Sequence, residues 1–466
     1  MTASRVSIVI VTHNRARLLR EAIDSVLAQT YARVELIVVD NGSTDDTGSV
    51  VNAYAGRVRY VKQDNLGVAA ARNAGIGMST GDYVGVLDDD DTYLPTKIER
   101  QVAILDAHPE FGLVHCRYVS TAPDGRWLEK SNISPEGAVL PELVCGCFLM
   151  VHTPLIRRQC FDDVGGFDQK IPWAADWDLW LRTAQAGYRF GGAQEVLCTY
   201  RMALGGTMMS NVARQELETM TALDRVYAAP AVPVAVLAVK DKAYAQNYLW
   251  LSSRHFGVQA WDEGWRCFSD ACARLPRLRE SPVNLVHIWR DDALGLRIAD
   301  PLGYADGLMA CLPTAFADLA LYRDYLRSQI LLGIALKNFA DDEIGPAQAQ
   351  LREAIRLDPQ LPARPDAFAE MVYKLALRLA VASPLAYAET VLCNLPPEAR
   401  ALVAVRTRVL GDLNVGMAME NYWARQRARV PAQILTGVSR RPQWLLNRGV
   451  WAMLLKSLPA RIGLAK

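Results

Sequence analysis

Four consecutive aspartates, Asp88 to Asp91, close the apolar run Tyr83-Val84-Gly85-Val86-Leu87. Carboxylates packed this closely repel one another and raise each other's pKa unless a cation or a set of donors sits among them. A hard divalent ion takes one or two such carboxylates and completes its shell with water and phosphate oxygens. An isolated acidic run is more often a turn facing water, so its surroundings decide. Thr12-His13-Asn14 follows an earlier apolar run at 6–11, and Asp40-Asn41 follows another at 34–39. Polar residues at the ends of three such runs point to a metal and diphosphate site along one edge of a sheet.

The elements that must carry these residues alternate in type. Residues 6–11 lack polar alternation and read as a strand buried on both faces. Asn14 is placed to cap a helix whose Leu18, Leu19, Ala22, Ile23, Val26 and Leu27 form one apolar stripe. A strand at 34–39 and the capping-box pattern Ser43-Thr44-Asp45-Asp46 come next. A strand at 58–61, a small-residue helix at 68–78 and the strand 83–87 continue the series. This order implies an α/β domain with a mostly parallel sheet, whose ligands gather outside the carboxyl ends of the strands. Further on, 112–120 and 148–152 read as strands, and 154–161 and 176–186 as helices.

From about residue 219 strand signals nearly vanish. Ala229-Pro230-Ala231-Val232-Pro233 marks a linker over 216–234, and 235–420 reads as an all-α domain. Residues 347–359 resemble the end of a tetratricopeptide repeat, with no 34-residue period around them. The chain's 466 residues exceed one ordinary core. The expected divisions are therefore 1–215, the linker, the helical domain and a basic amphipathic tail over 421–466. That tail holds nine Lys or Arg and no acid. Within it Trp444, Leu445, Leu446, Val450, Trp451, Leu454, Leu455 and Leu458 alternate with Arg448 and Lys456. Two readings stand: an amphipathic helix on an anionic membrane surface, or a final helix docked on the helical domain with a basic outer face.

Hydrophobic residues make up 51%, charged residues 22%, and the formal net charge is +1. These values suit a globular protein and give no reason to expect nucleic acid as a partner. Nine scattered cysteines include one close pair, Cys145 and Cys147, with no second pair at metal-site spacing. Such usage argues for thiols in a reducing compartment. No signal-peptide pattern and no apolar run of about 18 residues is present, so the expected location is the cytoplasm, with peripheral contact at the inner face of the membrane.

Taken in order, the motifs resemble glycosyltransferase family 2, inverting nucleotide-sugar enzymes with the Rossmann-like GT-A fold. The matches begin with Val9-Ile10-Val11-Thr12-His13-Asn14-Arg15, Ser25-Val26-Leu27-Ala28-Gln29-Thr30 and Val38-Val39-Asp40-Asn41-Gly42-Ser43-Thr44-Asp45. Asn65-Leu66-Gly67, Ala70-Ala71-Arg72-Asn73 and Leu87-Asp88-Asp89-Asp90-Asp91 follow. Val164-Gly165-Gly166-Phe167-Asp168 and Asp176-Trp177-Asp178-Leu179-Trp180 end the set. Together they span roughly residues 5–211.

The resemblance implies that Thr12, His13 and Asp40 line the pocket of the nucleoside base and that Arg72 reaches the base or diphosphate. It implies that Asp88 and Asp90 hold Mg2+ or Mn2+, that Asp89 contacts the ribose, and that Asp91 holds the loop. Asp176 becomes the base that takes the acceptor hydroxyl's proton. The implied donor is a nucleoside diphosphate sugar, a uridine diphosphate sugar first. The implied acceptor is a glycan or lipid-linked molecule of a cell-surface polysaccharide, lipid-linked oligosaccharide or glycoprotein.

Two departures stand out. Ala175 precedes Asp176 where the family usually has Glu, and Met202-Ala203-Leu204 follows Tyr200-Arg201 where a His is common. Trp173 and Trp177 either pack the helix of Asp176 or form an aromatic platform for an acceptor sugar. Two other functions remain open from sequence: nucleotidyl transfer to a sugar phosphate, and a non-catalytic module that binds nucleotide sugars or acts as a scaffold.

Overall fold

Val6–Thr12 forms the first strand, β1, with every side chain buried. Its alternate residues serve two cores: Val9 and Val11 face one, Val6, Ile8 and Ile10 the other. After it come α1 (Ala16–Leu27), β2 (Val34–Asn41), α2 (Thr47–Asn52), β3 (Val58–Gln63), α3 (Val68–Met78) and β4 (Tyr83–Asp88). Then follow β5 (Thr92–Tyr93), α4 (Lys97–Ala107), β6 (Phe111–Thr121), β7 (Trp127–Lys130), α5 (Leu140–Leu143) and β8 (Leu155–Arg157). α6 (Arg158–Val164), α7 (Ala175–Gln185) and β9 (Arg189–Arg201) complete the sheet region. The computed structural model describes residues 4–202, 211–424 and 426–457. Ala203, Leu204 and Leu458 lie outside them.

The strand order is β3-β2-β1-β4-β8-β6-β9-β5, with β7 paired to β6. Pairing is parallel through β3-β2-β1-β4. Beyond that, β8 runs antiparallel to β4 and β6, while β6 and β9 are parallel. This is an α/β N-terminal domain, as expected, with a parallel first half to its sheet.

The local expectations differ from the structure around β8 and in the linker. The strand expected at 148–152 is absent, and the strand is β8, inside the stretch expected to be helical. Leu155 and Ile156 are buried between β4 and β6, so pairing in the sheet overrides local helical spacing. Much of the expected linker 216–234 is helix α8 (Val212–Tyr227). Its Val212, Gln215, Thr219, Ala222, Leu223 and Val226 form a buried stripe, which makes it part of the first core. α9 (Val234–Leu237) and α10 (Lys240–Gly257) follow. By internal contacts the chain divides into units Met1–Leu251 and Ser252–Lys466, and the boundary falls within α10.

Beyond α10 every named element is helical: α11 (Trp261–Arg274), α12 (Pro282–Ala293), α13 (Pro301–Ala310), α14 (Arg323–Ala340) and α15 (Ile344–Leu357). α16 (Pro365–Arg378), α17 (Pro384–Cys393), α18 (Arg406–Trp423), α19 (Val430–Arg440) and α20 (Arg448–Ser457) follow. These helices recur with a period of 83 residues. α10, α14 and α18 are each 18 residues long and begin at 240, 323 and 406. α11 and α15 begin at 261 and 344, α12 and α16 at 282 and 365, and α13 and α17 at 301 and 384.

The period extends to single bonds. Ala260 N donates to His255 O at 2.9 Å, Glu343 N to Asn338 O at 2.9 Å, and Gln426 N to Asn421 O at 2.8 Å. Asn338 Nδ2 donates to Gln350 Oε1 at 2.9 Å, as Asn421 Nδ2 does to Gln433 Oε1. The repeat is thus not the 34-residue unit of a tetratricopeptide array but one of 83 residues, built from two helical hairpins. Residues 347–359 cover most of its second helix, here α15, and the turn after it.

Candidate active site

The strand register places three polar ends together. Thr12 lies opposite Asp40, and Val11 opposite Asp88. Past β1 the chain turns through Asn14, whose φ is 54°. Asn14 does not cap α1. Its Oδ1 accepts from Thr44 N at 2.7 Å, while Asp45 Oδ2 accepts from Ala16 N at 3.1 Å, so each loop holds the other. His13 donates through Nδ1 to Asn41 O at 3.0 Å, and its Nε2 accepts from Asn14 Nδ2 at 3.2 Å. That pair of bonds places the ring proton on Nδ1.

Asp40, expected to meet the base, is completely buried. Its Oδ2 accepts from the Tyr60 hydroxyl at 2.6 Å and its Oδ1 from Ser43 N at 2.7 Å. Burial would raise its pKa, but these bonds outweigh burial and hold it below the usual carboxylate range. Asp40 therefore anchors the edge from behind. Gly42 next to it has φ +85°, and a Cβ there would lie 2.9 Å from Asn65 N.

The four aspartates divide among three sets of partners. Asp88 Oδ1 accepts from Arg72 Nη2 at 2.7 Å, and the Arg72 guanidinium lies 5.3 Å from the centre of the Phe167 ring. Arg15 Nη1 reaches Asp89 Oδ1 at 3.0 Å and Asp90 Oδ2 at 2.6 Å. Asp91 faces inward: its Oδ1 accepts from Arg201 N at 2.7 Å, and its Oδ2 is 2.9 Å from His152 Nδ1. His152 in turn stacks on Tyr200.

Titration follows these surroundings. Burial pushes Asp88 up, but Arg72 brings it below the ordinary value. Burial keeps Asp89 raised against Arg15. Asp90 is pushed up to about 7 by burial and the charges of Asp91, Asp88 and Asp89.

Asp176 stands in the first turn of α7, where its Oδ1 accepts from Trp177 N at 2.8 Å. Burial raises its pKa, Arg72 pulls it down, and Asp88 pushes it up again. Asp176, Arg72 and Asp88 are thus electrostatic neighbours. No side chain within α7 caps its start. Glu218 of α8 does so instead, with Oε2 accepting from Trp173 N at 2.6 Å and Ala174 N at 3.2 Å. Its Oε1 accepts from Arg214 Nε at 2.6 Å.

Of the two tryptophans offered to an acceptor, Trp177 is core: it is 4% exposed and its Nε1 donates to Leu143 O at 2.9 Å. Trp173 lies 5.6 Å, centre to centre, from Trp250, which is 40% exposed. Arg15, Tyr60, His152 and Glu218 were given no role from sequence. Only Arg15 had a signal, as a cation directly after Thr12-His13-Asn14 and facing an unbalanced acidic run.

The pattern that defines glycosyl transferase family 2 matches residues 7–167. An uncharacterised glycosyltransferase of Rickettsia prowazekii (strain Madrid E) is 35% identical over 225 residues, covering 46% of this chain and 68% of the relative. The chain belongs to glycosyltransferase family 2. It is also 28% identical over 215 residues to the putative glycosyltransferase EpsE of Bacillus subtilis (strain 168), covering 42% of this chain and 73% of that one. A solved mannosyltransferase of Pyrobaculum calidifontis, in complex with GDP-Man and Mn2+, is similar at 19% identity and a TM-score of 0.44, covering 69% and 88% of the two chains. As a member of that family the protein is a glycosyltransferase, a sugar-transferring enzyme. No helix among the described residues is long and apolar enough to cross a membrane.

Proposed function

We propose that this glycosyltransferase moves a sugar from a nucleoside diphosphate donor, a uridine diphosphate sugar first, to a hydroxyl acceptor with inversion. The observation that carries the reading is Arg72, which binds Asp88 and lowers the pKa of Asp176. One buried cation thereby links the acidic turn to the candidate base. Asp176 takes the acceptor hydroxyl's proton as that oxygen attacks the anomeric carbon from the side opposite the diphosphate. Thr12, His13 and Asp89 meet the nucleoside, Asp40 holds that edge rigid, and Arg72 meets the diphosphate. Half-buried Trp173 with exposed Trp250, in place of Trp177, offers a face to an acceptor sugar.

The donor set also fits a divalent cation. Asp88 and Asp90 offer hard carboxylate oxygens suited to Mg2+ or Mn2+. Burial first, then the charges of Asp91, Asp88 and Asp89, raise Asp90 against the pull of Arg15, so a cation there would be favoured. When bound, the ion supplies charge neutralisation for the departing diphosphate. The acceptor is a glycan or lipid-linked molecule, and the enzyme works in the cytoplasm with its basic tail against the membrane's inner face.

Asp176→Asn tests the role of the base. Transfer should fall by about 10²–10⁴-fold, the usual worth of a general base. Donor affinity, measured by calorimetry, should stay within about threefold of native, since the base acts on the acceptor. Transfer at near-native rate would remove Asp176 from the mechanism. A thermal-shift panel of nucleoside diphosphate sugars with either ion would identify the donor, because the tightest ligand raises Tm most at matched concentration.

A further inference from the structure

The helical repeats share one face but not its cover. In the first repeat Leu285, Val286 and Trp289 are 1%, 0% and 1% exposed. In the second, 83 residues on, Phe368, Ala369 and Val372 are 1%, 3% and 0% exposed. The next helices cover them both times: α12 packs against α13 and α14, and α16 against α17 and α18. In the third repeat the equivalents are Trp451 at 43%, an exposed Ala452, and Leu455 at 65%. The opposite side of α20 is satisfied, because Val450, Met453 and Leu454 sit in a core with Val415, Ala418, Val430 and Ile434. Of the two readings of the tail, docking therefore describes one face of α20. Among the described residues the other face is exposed, with residues 448, 451, 452 and 455 in i, i+3, i+4, i+7 spacing.

Two further differences say what the open face suits. Exposed Leu435, Leu445 and Leu446 stand where the earlier repeats carry Ser269 and Arg352, Arg279 and Pro362, and Glu280 and Ala363. The apolar surface is thus wider than the one a stacked hairpin covers. Charge also inverts on the same scaffold: residues 338–374 carry seven acidic and four basic side chains, whereas 421–457 carry seven basic and none acidic.

We propose that this face of the third repeat docks on an anionic lipid bilayer. Trp451, Leu455, Leu445 and Leu446 enter the headgroup region, and Arg448 and Lys456 lie against the acidic headgroups. A second copy meeting the face about a two-fold axis would set Arg448 and Lys456 against their own kind, which disfavours that occupant. The inference deepens the proposed lipid-linked acceptor and rests on that reading for its purpose alone.

Flotation of the full chain tests it, using vesicles of phosphatidylcholine alone and of phosphatidylcholine with one part in three phosphatidylglycerol. The native chain should float with the anionic vesicles and stay down with the neutral ones, and added salt should release it. The double variant Trp451→Ser/Leu455→Ser should lose at least about tenfold in vesicle affinity. Leu446→Ser, an 88% exposed position whose loss cannot empty a core, should weaken binding in the same direction. Equal flotation on both vesicle types, or binding untouched by these variants, would overturn the proposal. So would a native dimer that Trp451→Ser makes monomeric. Transfer to a soluble acceptor, assayed in parallel, should be unchanged, so failure of the surface is separable from failure of the catalytic reading.

Discussion

Arg72 serves two carboxylates that need different things. It holds Asp88 ionised below the ordinary range, while Asp176 stays raised because burial exceeds what Arg72 takes away. A general base acts only when deprotonated. Transfer should therefore fail as pH drops through the raised pKa of Asp176, with an acid limb above the roughly 3.9 of a free aspartate. Removing the cation with Arg72→Met raises that pKa further, so the limb in kcat should move to higher pH. An unmoved limb at saturating donor would show that Arg72 does not act on the base. At this scale motifs pick out residues that the structure then sets near one another: Asp88 and Asp90 at the end of β4, and Asp176 within the field of Arg72 and Asp88. The sequence was unreadable where register decides. The burial of Asp40 depends on Tyr60 arriving from the neighbouring strand, and the commitment of Trp177 to Leu143 depends on how α7 packs.

At the scale of elements, α7 depends on α8. Glu218→Ala would leave the amides of Trp173 and Ala174 without their acceptor, a loss of about 1–3 kcal/mol in urea unfolding. The turn bearing Asp176 would loosen, so kcat should drop while donor KM holds. Glu218→Gln keeps an acceptor oxygen and should recover most of the rate. Gly42→Ala is a backbone test of the same edge. Its left-handed φ and the nearby Asn65 amide predict a loss of about 1–2 kcal/mol by the same unfolding measurement. The stripes of α1 and the all-apolar run of β1 were legible because period and burial agree. β8 was not, because three residues after a proline carry too little pattern to outweigh their neighbours. Glu218 acts 44 residues from Ala174, and spacing holds no trace of that bond.

At the scale of the molecule, the second half was legible only as helix. Its period is faint in the sequence: Pro276, Pro359 and Pro442 recur, but most other positions change. Repeats held by neighbour contacts tolerate loss of a whole unit better than loss of part of one. Deleting residues 323–405 joins Tyr322 to Arg406, the residue that replaces Arg323 in phase. The shortened chain should fold with unchanged helicity per residue by circular dichroism and keep transfer to a soluble acceptor. Deleting 323–364, one hairpin, breaks the phase and should give an aggregating protein.

The 83-residue period has a consequence for how this half of the chain comes apart. A stack stabilised between neighbours opens by steps, each interface acting as a stop. A protease admitted at the third repeat should leave a few discrete bands about one repeat apart rather than a continuum. The spacing of those bands would read out the period directly.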